Sequence, residues 1–152
     1  MMTTFTTAPI PQCGRILVFD VETTGLLPKQ NKMRTTPFTE LPYVIQLSFA
    51  LYDIKQKRII SQYDSYIKND PTIVIPEKIQ ELTGITPEIC SNRGRPIIEV
   101  LYEFNRAYKE CDVLVAHNME FDLNMVQLEI RRNYDSIIKI MPAIITTFSK
   151  EY

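Results

Sequence analysis

The chain holds one histidine, three cysteines and no surplus of positive charge. Seventeen lysines and arginines meet 18 aspartates and glutamates, so the net charge is −1. That excludes a bulk basic field able to grip duplex DNA. Cys13, Cys90 and Cys111 have no zinc-ligand spacing, and an odd number suits no closed disulfide set. The expected setting is therefore reducing and intracellular, cytoplasmic or nuclear, and not secreted. No apolar run is long enough to span a membrane. Met1 to Gln12 are rich in threonine and lack both a basic start and a continuous apolar stretch. They do not read as a signal peptide, and residues 1–14 are expected to form a disordered tail.

What remains is ordinary globular material. A length of 152 residues, 45% hydrophobic and 23% charged, suits one domain with a real core, placed at 15–152. Arg15–Glu22 reads as a buried strand. Tyr43–Asp53 alternates, with Ile45, Leu47, Phe49 and Leu51 on one face. Ile54-Lys55-Gln56-Lys57 reads as a turn, and Arg58–Lys68 alternates again, which gives a three-stranded antiparallel start. Asn69-Asp70-Pro71 breaks it. Pro76 sits where a helix begins and Gly84 where it ends. Thr86-Pro87-Glu88 reads as another turn. A second helix follows Arg95-Pro96, with Ile97, Val100, Leu101, Phe104 and Tyr108 at helical spacing. Asp112–Ala116 is a strand. Asn118 is placed to cap a helix carrying Phe121, Met125, Leu128 and Glu129 and ending near Arg131-Arg132-Asn133. Periodicity alone predicts a mixed α/β sheet.

Two strings carry chemistry: Phe19-Asp20-Val21-Glu22-Thr23-Thr24-Gly25 and Ala116-His117-Asn118-Met119-Glu120-Phe121-Asp122. Each puts acids at the end of an apolar run, Ile16-Leu17-Val18-Phe19 and Val113-Leu114-Val115. Asp20 and Glu22 are two apart, so on a strand they share a face. Asp122 comes from far along the chain and closes the cluster. Converging carboxylates repel unless a cation lies between them, which points to a divalent metal and to phosphate chemistry.

The same strings resemble the first two motifs of the DEDD (DnaQ-like) 3′→5′ exonuclease superfamily, over about Arg15 to Arg132. Ile75-Pro76-Glu77-Lys78-Ile79-Gln80-Glu81-Leu82-Thr83-Gly84-Ile85-Thr86 resembles that family's nucleotide-contacting segment. The long connection Gly25–Leu41 is similar to that of viral and bacterial members. The resemblance implies a ribonuclease H-like fold: a mixed sheet, three antiparallel strands then parallel strands, flanked by helices. It implies a metal-dependent 3′→5′ exonuclease acting on single-stranded DNA or RNA ends. Asp20, Glu22 and Asp122 would be the catalytic acids and would hold two Mg²⁺ or Mn²⁺ ions, with Asp20 bridging. Thr23, Leu82, Asn118 and Phe121 would contact the substrate. Each also has a plainer reading: Thr23 as a strand cap, Leu82 and Phe121 as core, Asn118 as a helix cap. His117 reads as a polar residue beside the site. Gly25 is expected at a positive-φ turn. The basic groups Lys29, Lys32, Arg34 and Arg93, Arg95 read as solvated surface.

The family pattern has four acids, and this chain supplies three. Downstream of Asp122 neither His-x-x-x-x-Asp nor Tyr-x-x-x-Asp occurs. Asp135 follows too closely, at the end of the same helix, and Glu151 and Tyr152 have nothing after them to hold them. The expectation is a C-terminally truncated domain, impaired as a catalyst or completed by a polymerase or a larger polypeptide supplying the missing motif. The alternative is a non-catalytic nucleic-acid-binding or interaction module retaining the fold.

Overall fold

A computed structural model describes residues 14–143. The expectation of a disordered tail therefore falls almost wholly outside the described residues, as do Cys13, Glu151 and Tyr152. The elements are β1 (Arg15–Thr23), α1 (Gln30–Met33), β2 (Val44–Asp53), β3 (Arg58–Tyr66), α2 (Glu77–Thr83), α3 (Pro87–Arg93), α4 (Ile97–Glu110), β4 (Val113–Val115), α5 (Met119–Arg132) and α6 (Tyr134–Ile140). One mixed sheet runs in the order β3-β2-β1-β4. The first three strands are antiparallel, and β4 lies parallel to β1.

Alternation along β1 divides the sheet into two faces. Leu17, Phe19, Val21 and Thr23 are buried, whereas Val18 and Asp20 are exposed. The buried set meets Leu47, Phe49 and Leu51 of β2, Val100, Leu101 and Phe104 of α4, and Met125, Val126 and Leu128 of α5. Phe104 is the hinge of this packing. Its ring lies 5.2 Å from Phe19 and 5.8 Å from Phe49. Tilted and edge-on rings at such distances add to simple burial. Ile45 belongs to a second, smaller cluster with Ile75, Ile85 and Cys90, away from the remainder of the face it was expected to share. The register shift between Glu22 and Thr23 explains the exchange: Thr23 pairs with Val44, so Ile45 is skipped.

Gly84 ends α2 at φ 72°, a left-handed conformation that costs glycine nothing. The Thr86-Pro87-Glu88 turn is instead the start of α3. The Thr86 hydroxyl accepts from the Ile89 amide and Pro87 occupies the first helical turn, so the same residues that suggest a turn also suit a helix start. Asp135 lies in α6 and not at the end of the Asp122 helix, because Asn133 breaks α5 from α6. Gly25 is not in the positive-φ region; Gly84 is the only glycine among the described residues that is.

Candidate active site at the carboxyl edge of the sheet

Because β1 and β4 are parallel neighbours, their carboxyl ends open on one edge of the sheet. Loops at such an edge are where this class of sheet gathers ligand-binding groups. Asp20 and Glu22 sit at the end of β1, opposite Ser48 and Gln46 of β2 and off the core face. The bulge follows at once. β4 ends at Val115, and three residues later Asn118 caps α5, its side chain accepting from the Phe121 amide. Asp122 is thereby carried in the first turn of α5. It is buried, and its carboxylate accepts from the backbone of Asn118 and of Val21, the residue between Asp20 and Glu22. Asp122 thus returns to the strand that bears the other two acids.

The electrostatics agree with that placement. The Glu22 carboxyl is pushed above the ordinary carboxylate range, first by burial and then by repulsion from Asp20 and Asp122. Asp122 is also pushed up, chiefly by burial and partly by Asp20; the backbone hydrogen bonds and His117 oppose the shift. Asp20 and Asp122 thus lie close enough to Glu22, and Asp20 close enough to Asp122, to make ionising Glu22 and Asp122 more costly. Hard carboxylate oxygens are the donors that Mg²⁺ or Mn²⁺ takes. Among the described residues, however, no three acidic, histidine or cysteine side chains are gathered tightly enough to enclose an ion. The donor chemistry fits, and the closed cage is not formed.

The other predicted residues divide. The Thr23 hydroxyl is committed to the Gly25 carbonyl at 2.7 Å, and the side chain is buried. Its strand-capping reading is therefore visible in the structure. Asn118 caps α5 as described. Phe121 is half-buried and packs against the main core. Leu82 is 72% exposed on α2, so it is not core. His117 is exposed and near enough to Asp122 to oppose the upward shift of that carboxyl. Of the basic groups, Arg95 pairs with Glu99 and bonds the Tyr63 hydroxyl, and Arg93 lies over the Tyr66 ring at 5.2 Å.

Sequence reading did not find the pair Glu129 and Arg132. Both are nearly buried, with Arg132 Nη1 2.6 Å from Glu129 Oε1. Glu129 also accepts from the Val44 amide. The second Arg132 amino group donates to the carbonyls of Phe38, Leu41 and Pro42, and the guanidinium lies 3.7 Å from the centre of the Tyr43 ring. This fastens the end of the Gly25–Leu41 connection to α5. The signal was present: a glutamate on the apolar stripe of α5 with an arginine three residues on.

Comparison with known proteins agrees with this geometry. The family profile described as Exonuclease (RNase_T) matches residues 17–149. The PolC-type DNA polymerase III of Thermotoga maritima is 34% identical over 116 residues, which cover 76% of this chain and 7% of that one. The PolC-type enzyme of Halalkalibacterium halodurans is 36% identical over 114 residues, 74% of this chain and 7% of that one. The chain thus spans only a small part of these polymerases. Among solved structures, E. coli exonuclease I in complex with a dA16 oligonucleotide superposes with a TM-score of 0.64 at 18% identity, over 80% of this chain and 24% of that one. The nuclease domain of 3′hExo, a DEDDh family member bound to rAMP, gives 0.60 at 14% identity, over 82% and 62%. The mixed sheet with flanking helices is the ribonuclease H-like exonuclease fold of those neighbours. With a profile match over most of its length and the acids of its two motifs meeting at one edge of that sheet, this chain belongs to the exonuclease family.

Proposed function

We propose that the protein is a metal-dependent 3′→5′ exonuclease acting on single-stranded nucleic-acid ends. The observation that carries this reading is the return of Asp122 to β1, between Asp20 and Glu22. Asp20, Glu22 and Asp122 would hold Mg²⁺ or Mn²⁺. A divalent pair there would stabilise charge on the attacking and leaving oxygens of a phosphodiester. The protein's own part is to hold the strand end: the Thr23 backbone and Asn118 beside the sugar and phosphate, and Leu82 and Phe121 against the last bases. Stacking is indifferent to base identity, which suits removal of any nucleotide.

The fourth acid and its neighbouring base have no counterpart downstream of Asp122, so we infer that the 152 residues alone are a weak catalyst. A polymerase or larger polypeptide supplying that group would complete the site. The test is incubation of a 5′-labelled oligonucleotide with Mg²⁺ or Mn²⁺. A slow ladder shortening from the 3′ end, abolished by Asp20→Ala, supports the reading. Cleavage that survives Asp20→Ala, or that starts internally, sinks it. The missing counterpart of the fourth acid leaves one second reading, a nucleic-acid-binding module without catalysis. Oligonucleotide binding with no ladder under either metal, and no metal uptake by calorimetry, would select it.

A further inference from the structure

A cleft of about 1140 Å³ opens between the Gly25–Leu41 connection and α5. On α5 it is lined by Glu120, Asn124, Leu128 and Arg131. These recur at intervals of three and four and so share one helix face. The connection supplies the opposite wall, including Arg34 and Phe38. We propose that this cleft is the track for the nucleotides upstream of the terminal one in a single strand. The proposal deepens the strand-end reading above and rests on it.

Charge is the first argument. Lys29, Lys32 and Arg34 stand on α1 and its flanks, are exposed, and form no ion pair among the described residues. Arg34 lines the cleft, and Lys29 and Lys32 lie beside its lining residues Gln30, Asn31 and Met33 on the same short segment, which suits a phosphate backbone. The second argument is stacking surface: Phe38, 50% exposed, and Phe121 both line the cleft. Basic groups alternating with aromatic faces are the makings of a sequence-tolerant single-strand groove. The third is continuity. Asn118 and Phe121 line the cleft, while Asp122, next in sequence, reaches β1. A strand whose end lies at the acids therefore passes directly into the cleft. The fourth is stiffness, because Arg132 holds the carbonyls of Phe38, Leu41 and Pro42 and so fixes the outer wall. Glu120 is the one lining group of the wrong sign.

Fluorescence anisotropy with a labelled oligothymidylate trinucleotide and twelve-mer tests this. The twelve-mer should bind the unaltered protein at least about tenfold more tightly, with a steeper salt dependence. The double variant Lys32→Glu, Arg34→Glu should lose most of that increment and flatten the salt slope, and leave trinucleotide binding in place. Phe38→Ala should weaken the twelve-mer about fivefold or more. Glu120→Gln should strengthen it. An increment that survives the charge reversal, or no length increment in the unaltered protein, overturns the track and leaves the strand-end reading standing. Failure of both oligonucleotides to bind the unaltered protein overturns both.

Discussion

Asp53 shows what a single carboxylate does for this fold. It ends β2 and accepts from the Gln56 amide at 2.9 Å across the β2–β3 turn, with Arg15 beside it. Those hydrogen bonds, the Gln56 amide foremost, hold its carboxyl below the ordinary range despite burial. A depressed folded-state pKa contributes stability above the unfolded value, and the contribution is lost as pH falls through the folded value. Asp53→Asn should therefore lower the melting temperature at neutral pH. The gap from the unaltered protein should close as pH falls through and below the carboxylate range. Melting curves across that range check it; a gap that widens with acid would contradict the assignment. The residues at the acidic edge follow the opposite rule. Glu22 and Asp122 are pushed up, so ionising them works against the folded state until a cation or a proton offsets the charge.

Two contacts between elements depend on one residue each. Gly94 joins α3 to the segment after β3, and a Cβ there would stand 2.2 Å from the Cys90 carbonyl oxygen and 2.6 Å from the Lys68 amide nitrogen. Both are backbone atoms, so nothing yields cheaply. Gly94→Ala should cost about 1–3 kcal/mol or more, read from chemical denaturation, with the loss borne by the α3 region. The second contact is Arg132. Arg132→Met would leave Glu129 charged, buried and without its cation. Breaking one side of a buried pair costs about 3–5 kcal/mol. The double change Glu129→Gln, Arg132→Met should recover part of that loss. Hydrogen exchange should also show the Phe38–Tyr43 backbone loosened in the single variant. A loss of no more than a few tenths of a kcal/mol would mean that the clamp is ornamental.

At the scale of the whole molecule, the proposed metal site would link stability to metal. A ligand that binds only the folded state stabilises it by about 2.7 kcal/mol at a hundredfold excess over its dissociation constant. Mn²⁺ should therefore raise the melting temperature of the unaltered protein. Asp122→Asn should abolish that response. In the metal-free protein the same change should leave stability equal or higher, since it removes repulsion and keeps an oxygen to accept from Val21 and Asn118. Opposite signs with and without metal separate a ligand from a merely structural acid. A metal response that persists in Asp122→Asn would remove Asp122 from the site.

The sequence by itself determined the strands and the long helices, and it singled out the three acids that the fold carries to one edge of the sheet. Alternation along β1 and β2 and the helical spacing of α4 and α5 are local signals, and Asn118 marked its own cap. The motif residues were equally legible because their spacing is local: Asp20 and Glu22 share a face on any strand. Tertiary structure decided the rest. Where the Thr23 hydroxyl bonds, whether Leu82 is core, and whether Ile45 follows its neighbours each depended on burial and on one register shift that no window of sequence shows. Turn chemistry misled at Thr86-Pro87-Glu88, where a cap and a turn use the same residues. The Glu129–Arg132 clamp and the cleft it braces join residues about ninety positions apart, and only the folded chain brings such distant charges and carbonyls within hydrogen-bonding reach.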